Sequence, residues 1–352
     1  MTWVADTGVC IAIGVSTRYP NGKCAHCGIN GRSMATVLSN AAEEKVTFIQ
    51  ADYEIYPDQQ IARRGRSVVY PHSVSIETQV SCNAKCTFCP YPTSPRKGQE
   101  METSLFEKII DDLTGVPHEH KFSICLARIN EPLLDRRLER FHEIIAERLP
   151  SASAGFWSNG TMIVPGRFEW MAKHRGGYLC ISLNSVKDIE HRELMGFGTE
   201  KVFRNLDYLH DLKLKGKFPL VVQLSAPFNS SSQAREIEEF CAVRWPKFRV
   251  GIRPFFEWVG GSKSGADERK KSDIHRYGAN SALDFACGQW FQLHILANGQ
   301  LANCCIDETG VAGDEFNART NVLDLYARSE ELRRNLPARS TVAGCETCLH
   351  LG

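Results

Sequence analysis

The stretch Ser75-Ile76-Glu77-Thr78-Gln79-Val80-Ser81-Cys82-Asn83-Ala84-Lys85-Cys86-Thr87-Phe88-Cys89-Pro90 decides the reading of this 352-residue chain. It begins as an apolar, strand-like run and ends in three cysteines spaced Cys82-x3-Cys86-x2-Cys89. Cysteine thiolates are the usual ligands of iron–sulfur clusters, which normally take four. Three thiolates leave one iron of a [4Fe–4S] cluster open to another ligand. The competing readings are a zinc knuckle and three unrelated thiols. Zinc sites usually pair a C-x2-C with a second pair and want four ligands. The asymmetric spacing, directly after a strand, favours the cluster.

Outward from this stretch, strand-like runs alternate with helical patterns. The strands are expected at Val74–Thr78, Phe122–Ala127, Ala154–Trp157, Tyr178–Leu183, Leu220–Leu224 and Arg249–Pro254. Helices are expected at Ser104–Leu113, Asp135–Leu149, Val202–Leu214 and Gln233–Val243, where apolar residues recur at three and four. Six strand–helix repeats imply an α/β fold with a parallel sheet. Right-handed crossovers would curl it into a (β/α)6 partial TIM barrel over residues 73–258. The Cys82–Cys89 loop follows the first strand, where barrels of this kind place catalytic groups.

Residues 1–72 read as an N-terminal extension without a motif that fixes its role. Within it Cys24-x2-Cys27 is a second pair, which Cys10 and His26 could complete as a tetrahedral metal site. Residues 259–281 read as a polar, Gly- and Ser-rich linker. The tail, 282–352, reads as a hairpin (His294–Leu296, turn Asn298-Gly299, Leu301–Cys304) followed by one helix, Val322–Leu336. Cys125, Cys180 and Cys241 sit in apolar patterns and read as core.

Composition narrows the class. A formal net charge of +1 implies no polyanion partner, and no basic, aromatic-studded stretch suggests a nucleic-acid surface. No apolar run reaches the roughly 18 residues of a membrane span, and the first residues lack the pattern of a secretory signal. Fourteen cysteines without an export signal point to a reducing, cytoplasmic compartment, where clustered thiols bind metal more often than they form disulfides.

The Cys82-x3-Cys86-x2-Cys89 run resembles the signature of the radical S-adenosylmethionine (SAM) enzymes. The resemblance implies the same partial barrel, a [4Fe–4S] cluster whose open iron holds the amino and carboxylate groups of SAM, and an external one-electron reductant such as flavodoxin or ferredoxin. Phe88 matches the aromatic residue that packs on the adenine. Asn130-Glu131-Pro132 is similar to the Gly-Gly-Glu-Pro turn that receives the SAM ammonium, with Ile129 and Asn130 in place of the glycines. Ser158-Asn159-Gly160 resembles the turn beside the SAM ribose and carboxylate, and Ser182 and Asn184 are further polar contacts. The alternative for each is a turn residue capping a helix.

The tail carries Cys287, Cys304-Cys305 and Cys345-x2-Cys348. So small a module usually needs a metal or disulfide staple. Its order resembles the twitch module, the shorter relative of the SPASM domain. That resemblance implies an auxiliary [4Fe–4S] cluster on Cys287, Cys305, Cys345 and Cys348. A structural zinc site with the same four thiolates is the alternative. Cys304 is left as an inert thiol or a hydrogen-atom donor.

Under the resemblance the leading expectation is oxidation of a secondary alcohol in a small polar metabolite. This would be a sugar, aminocyclitol or nucleoside, with the auxiliary cluster accepting an electron. Glu77, Arg128, Arg253 and Glu257, at strand ends, are the candidate bases. A redox-neutral epimerase using Cys304, a decarboxylase and a peptide-modifying maturase are the alternatives.

Overall fold

The computed structural model describes residues 68–254, 287–310, 313–342 and 345, apart from 175, 229–230 and 306. The chain divides into two units, Met1–Thr47 and Phe48–Gly352, and every described residue belongs to the second. The expected Cys10, Cys24, His26 and Cys27 site and the 259–281 linker lie outside the described residues, as do Glu257 and Cys348.

Strands and helices alternate as β1 (Ser73–Ile76), α1 (Thr103–Leu113), β2 (Phe122–Cys125), α2 (Leu138–Arg148), β3 (Ala152–Ser158) and β4 (Tyr178–Ser182). They continue as α3 (Asp188–Met195), α4 (Thr199–Leu214), β5 (Val221–Phe228), α5 (Ser231–Arg244) and β6 (Arg249–Pro254). After the undescribed connection come β7 (Gln292–Ile295), β8 (Leu301–Ala302), α6 (Val322–Ala327) and α7 (Glu330–Asn335). The strands form one sheet in the order β6-β5-β4-β3-β2-β1-β7-β8. Every pairing is parallel except β7 with β8. The result is a mostly parallel eight-stranded α/β sheet. Its two extra strands come from the tail: β7 lies parallel to β1, with Val74 opposite Leu293 and Ile76 opposite Ile295.

Helical periodicity explains the packing. On α1, Leu105, Phe106, Ile109, Ile110 and Leu113 recur at three and four and are all buried. Leu138, Phe141, Ile144 and Ile145 do the same on α2, and the Phe106 and Phe141 rings stack at 4.1 Å. These helices bury one face of the sheet, through Val74, Ile76, Ile124, Phe156, Leu179, Ile181, Val222, Leu224, Leu293 and Ile295.

The residues alternating with that core point to the other face. They are small or polar in most positions: Ser75, Cys125, Gly155, Cys180, Ser182, Gln223, Ser225 and Gly251. As expected, Cys180 and Cys241 are buried and Cys125 packs against the core cluster, although Cys125 and Cys180 lie on the strand face opposite the helices. Trp157 and Tyr178 lie on the same face. A Cβ on Gly155 would stand 2.7 Å from the Tyr178 ring, so the absent side chain is what lets the tyrosine cross β3. Its hydroxyl donates to the Ile124 carbonyl at 3.3 Å.

Two expected helices differ. The helix expected at Asp135–Leu149 starts at Leu138, because Asp135 accepts from the Arg137 backbone and guanidinium at 2.9 Å and Pro132–Leu134 forms its own 3-10 turn. The helix expected at Val322–Leu336 breaks after Ala327. There the buried Arg333 reaches back to the Tyr326 carbonyl at 2.6 Å and to the Val68 carbonyl at 2.8 Å. These bonds satisfy a carbonyl at the end of α6 and tie the tail to the entry of β1.

Candidate active site

The Cys82–Cys89 loop leaves the end of β1 and is pinned on three sides. Ser81 accepts the Glu131 backbone N–H at 2.9 Å, and Gln79 donates to the Glu131 carbonyl at 3.1 Å. Lys85 and Thr87 donate backbone N–H groups to Met195 and Leu194, at the end of α3. The Asn83 side chain donates to the Thr161 hydroxyl at 2.8 Å and accepts from the Asn159 amide at 2.8 Å. These anchors come from the ends of β1, β2, β3 and α3, so the sheet order itself assembles the loop's surroundings.

Each cysteine sulfur meets a polar or soft neighbour. The Ala84 N–H points at the Cys82 sulfur at 3.4 Å, the Tyr91 N–H at the Cys89 sulfur at 3.5 Å, and the Asn159 amide at Cys82 at 3.8 Å. The Cys86 thiol lies 3.3 Å from the Met195 sulfur, which also accepts from Asn184 at 2.7 Å. Asn184 takes the left-handed backbone conformation, φ 61°, that asparagine tolerates better than most residues. Burial pushes the Cys82 thiol up to about 11, Cys89 up to about 12 and Cys86 well above its ordinary value. The three thiols also disfavour one another's ionisation, Cys86 feeling Cys89 and then Cys82. A positively charged group is what would reconcile three buried thiolates. Among the described residues no three Cys, His, Asp or Glu side chains are grouped to hold a single metal ion.

Glu131 is the centre of the second half of the site. It is 1% exposed. Its carboxylate accepts from the Leu133 N–H at 3.2 Å, the Ser158 hydroxyl at 3.0 and 3.1 Å, and the Asn159 N–H at 2.7 Å. It therefore caps the Pro132–Leu134 turn and also bridges to β3. Burial pushes its carboxyl up to about 7 against the pull of those donors. Through Asn159 it is linked to Cys82, whose ionisation it opposes. Beside it, the Asn130 side-chain Oδ1 accepts from the Arg128 backbone N–H at 2.8 Å while the buried Asn130 Nδ2 has no partner. Phe88 and Ser182 are half-buried.

The donor set fits a cubane cluster with SAM. It supplies three thiols, N–H groups directed at two of their sulfurs, a buried carboxylate near Cys82 and an unsatisfied amide donor next to that carboxylate. Cys82, Cys86 and Cys89 would hold the iron, with Glu131, Asn130 and Asn159 on the SAM side.

The expected bases are placed differently. Glu77 is fully buried, ion-paired to Arg96, and accepts the Ala297 N–H at 3.2 Å. It joins β1 to the tail, and neither oxygen is spare. Arg128 donates to the Cys304 carbonyl at 3.3 Å and to the Asp307 carbonyl. A guanidinium keeps its proton in proteins, so its chemistry here is donation. The Arg253 backbone lies in β6, and its side chain is outside the described residues.

In the tail, Cys287 is buried with Trp290, Phe291 and Leu336, whereas Cys304, Cys305 and Cys345 are half-buried. Asp307 is held below its ordinary value. Burial opposes this, but the N–H groups of Asn303, Thr309 and Gly310 and the Thr309 hydroxyl outweigh it. Sequence reasoning missed Arg96, Met195, Asp307 and Glu308. The one local signal was the acidic pair Asp307-Glu308, one residue after Cys304-Cys305.

Known proteins resemble this chain over the region that holds the site. Residues 76–224 match the family model of the Radical SAM superfamily. These residues, which hold the cysteine loop, Glu131 and Asn159, form a radical SAM domain. A curated relative, the S-adenosyl-L-methionine-dependent 2-deoxy-scyllo-inosamine dehydrogenase of Niallia circulans, is 26% identical over 101 residues, 28% of this chain and 40% of that protein. The match thus spans well under half of the relative's length. The fold is also that of SuiB from Streptococcus suis bound to its precursor peptide SuiA. There the TM-score is 0.56 at 16% identity, covering 91% of this chain and 83% of that one. A further match is anSMEcpe with bound AdoMet and the Cp18Cys peptide, at TM-score 0.53 and 15% identity over 78% and 85% of the two chains. Among the described residues no helix is long and apolar enough to cross a membrane.

Proposed function

We propose that this protein is a radical SAM oxidoreductase that oxidises a secondary alcohol in a small polar metabolite, a sugar or aminocyclitol. Bound at Cys82, Cys86 and Cys89, the cluster and SAM supply a carbon-centred radical able to take hydrogen from an unactivated C–H bond. The chain's own residues do the rest. Glu131 and Asn130 hold the amino-acid end of SAM, Asn159 spans the cluster loop and Glu131, and Phe88 packs on the adenine. A reductant of the flavodoxin or ferredoxin class delivers the starting electron. Cys287, Cys305, Cys345 and Cys348 bind the auxiliary cluster that accepts the electron left on the substrate.

The observation that carries the substrate reading is the inner face of the sheet. Ser75, Ser182, Gln223 and Ser225 offer hydroxyl and amide groups, and Trp157 and Tyr178 offer flat apolar surface. That mixture suits a hydroxylated ring, whose edges hydrogen-bond and whose faces are apolar. The relative named as a 2-deoxy-scyllo-inosamine dehydrogenase supports the same class.

The test is anaerobic turnover of the reconstituted protein with SAM, dithionite and 2-deoxy-scyllo-inosamine, with products weighed by mass spectrometry. A ketone two hydrogens lighter than the alcohol is expected. An isomer of unchanged mass would replace oxidation with epimerisation, and no conversion would remove the cyclitol reading.

A further inference from the structure

The mouth of the sheet, where the loops after β1, β2 and β8 meet, contains several buried carboxylates, and hydrogen-bond accounting separates them. Glu77 is consumed by Arg96 and the Ala297 N–H. Glu131 accepts from Leu133, Ser158 and Asn159 and is assigned to the SAM ammonium above. Asp135 is taken by Arg137, and Asp307 by Asn303, Thr309 and Gly310. Glu308 differs. Its side chain is 17% exposed and stands 3.7 Å from Arg96, an ion pair without a hydrogen bond. Its Oε2 is buried and accepts from nothing.

Unpaired donors surround the same loop. Arg128 grips the Cys304 and Asp307 carbonyls through one nitrogen, and its buried Nε and Nη1 have no acceptor. The Arg96 Nε is also buried and unpartnered. A buried polar atom without a partner costs free energy, so one unused acceptor beside several unused donors calls for a ligand that is both. A hydroxyl group is such a ligand, giving its proton to a carboxylate while its oxygen accepts from a guanidinium.

We propose that Glu308 is the catalytic base of this site, taking the hydroxyl proton of an alcohol whose oxygen accepts from Arg128. This rests on the oxidative reading above. The hydrogen atom on the carbinol carbon leaves to form a C–H bond in 5'-deoxyadenosine. The hydroxyl proton passes to the Glu308 carboxylate. The electron that remains goes to a one-electron acceptor of the iron–sulfur class, and the C–O bond becomes C=O. Arg128 stabilises the negative charge that develops on the oxygen. Arg96, fixed by Glu77, keeps Glu308 facing the mouth.

The experiment uses the full reconstituted chain, SAM, dithionite and 2-deoxy-scyllo-inosamine deuterated at its carbinol carbons. For the wild type, deuterated 5'-deoxyadenosine and ketone are expected in about equal amounts. A positioned base contributes on the order of 100-fold or more. Glu308→Gln should therefore keep iron content and deuterium transfer within about threefold, while ketone falls on the order of 100-fold. Glu308→Asp, which restores a carboxylate, should recover part of the ketone. Ketone at the wild-type ratio in Glu308→Gln would overturn the assignment while leaving the oxidation intact. Loss of iron or of deuterium transfer in both variants would also overturn it, by making the role structural. Absence of ketone from the wild type would instead remove the oxidative reading, and this proposal with it.

Discussion

Glu131 receives three donors on a carboxylate that water does not reach, so its replacement is informative. In Glu131→Gln the amide oxygen can still accept, but the amide NH2 must face either the Leu133 N–H or the Asn159 N–H. The charge that would meet the SAM ammonium is also gone. A hydrogen bond to a charged group is worth about 1.5–3 kcal/mol, so the SAM dissociation constant should rise roughly 10–100-fold. Iron bound at the three cysteines should stay at the wild-type level. Equilibrium binding of SAM to the reconstituted protein checks this, and wild-type affinity in the variant would remove Glu131 from the SAM site. At this scale the sequence was legible where partners are local: the three cysteines, Asn130-Glu131-Pro132 and Ser158-Asn159-Gly160 are short motifs after strands. It was illegible where partners are distant in the chain. Arg96 meets Glu308, and Glu77 meets Ala297, across more than 200 positions, and no spacing reveals such pairs.

Elements were legible where apolar periodicity is strong. The strand expected at Arg249–Pro254 has those bounds, and α1 begins one residue before its expected start. The limits of that reading have local causes. Tyr178-Leu179-Cys180-Ile181-Ser182 is apolar throughout its middle, so the run alone cannot phase its two faces, and all three middle residues are buried. The tail helix breaks because the buried Arg333 bonds the Tyr326 carbonyl, a pull that helical periodicity does not encode. One element carries a pH signal. His142 on α2 is 2% exposed, with the Trp170 ring at 4.9 Å and the Phe156 ring edge-on at 5.8 Å. Burial, and then the neighbouring His174, lower it to about 3. The folded state thus prefers the neutral ring. The stability this preserves is complete above the ordinary histidine value and is lost as pH falls from about 6.5 towards 3. At pH 5 the loss should be about 2 kcal/mol. Denaturant unfolding of the metal-free protein at pH 7.5 and pH 5 measures it. His142→Phe should remove that portion of the pH dependence, and an unchanged slope would contradict the account.

At the scale of the whole described unit, the tail is built into the sheet. β7 extends the parallel sheet from β1, and Glu77 at the end of β1 accepts from the Ala297 backbone. Lys108 on α1 donates to the Ala318 carbonyl at 2.9 Å, and Asp112 accepts the first N–H of α6 at 2.9 Å. The sequence showed the tail as a small module because its strands are short and the strand–helix alternation stops before it. The joint lies in hydrogen bonds between strands that sequence order separates. The same joint brings the Cys304–Glu308 loop onto the mouth, where Arg96 and Arg128 hold it beside the cysteine loop. The arrangement makes sense if the Cys82–Cys89 loop carries a SAM-cleaving cluster, and that claim has one direct test. The protein is reconstituted anaerobically with iron and sulfide, reduced with dithionite and given SAM, and 5'-deoxyadenosine is measured in the wild type and in Cys82→Ala/Cys86→Ala/Cys89→Ala. The account predicts 5'-deoxyadenosine from the wild type and none from the triple variant, together with the loss of about four irons per chain. Cleavage that survives in the variant, or a fully reconstituted wild type that leaves SAM intact, would contradict it.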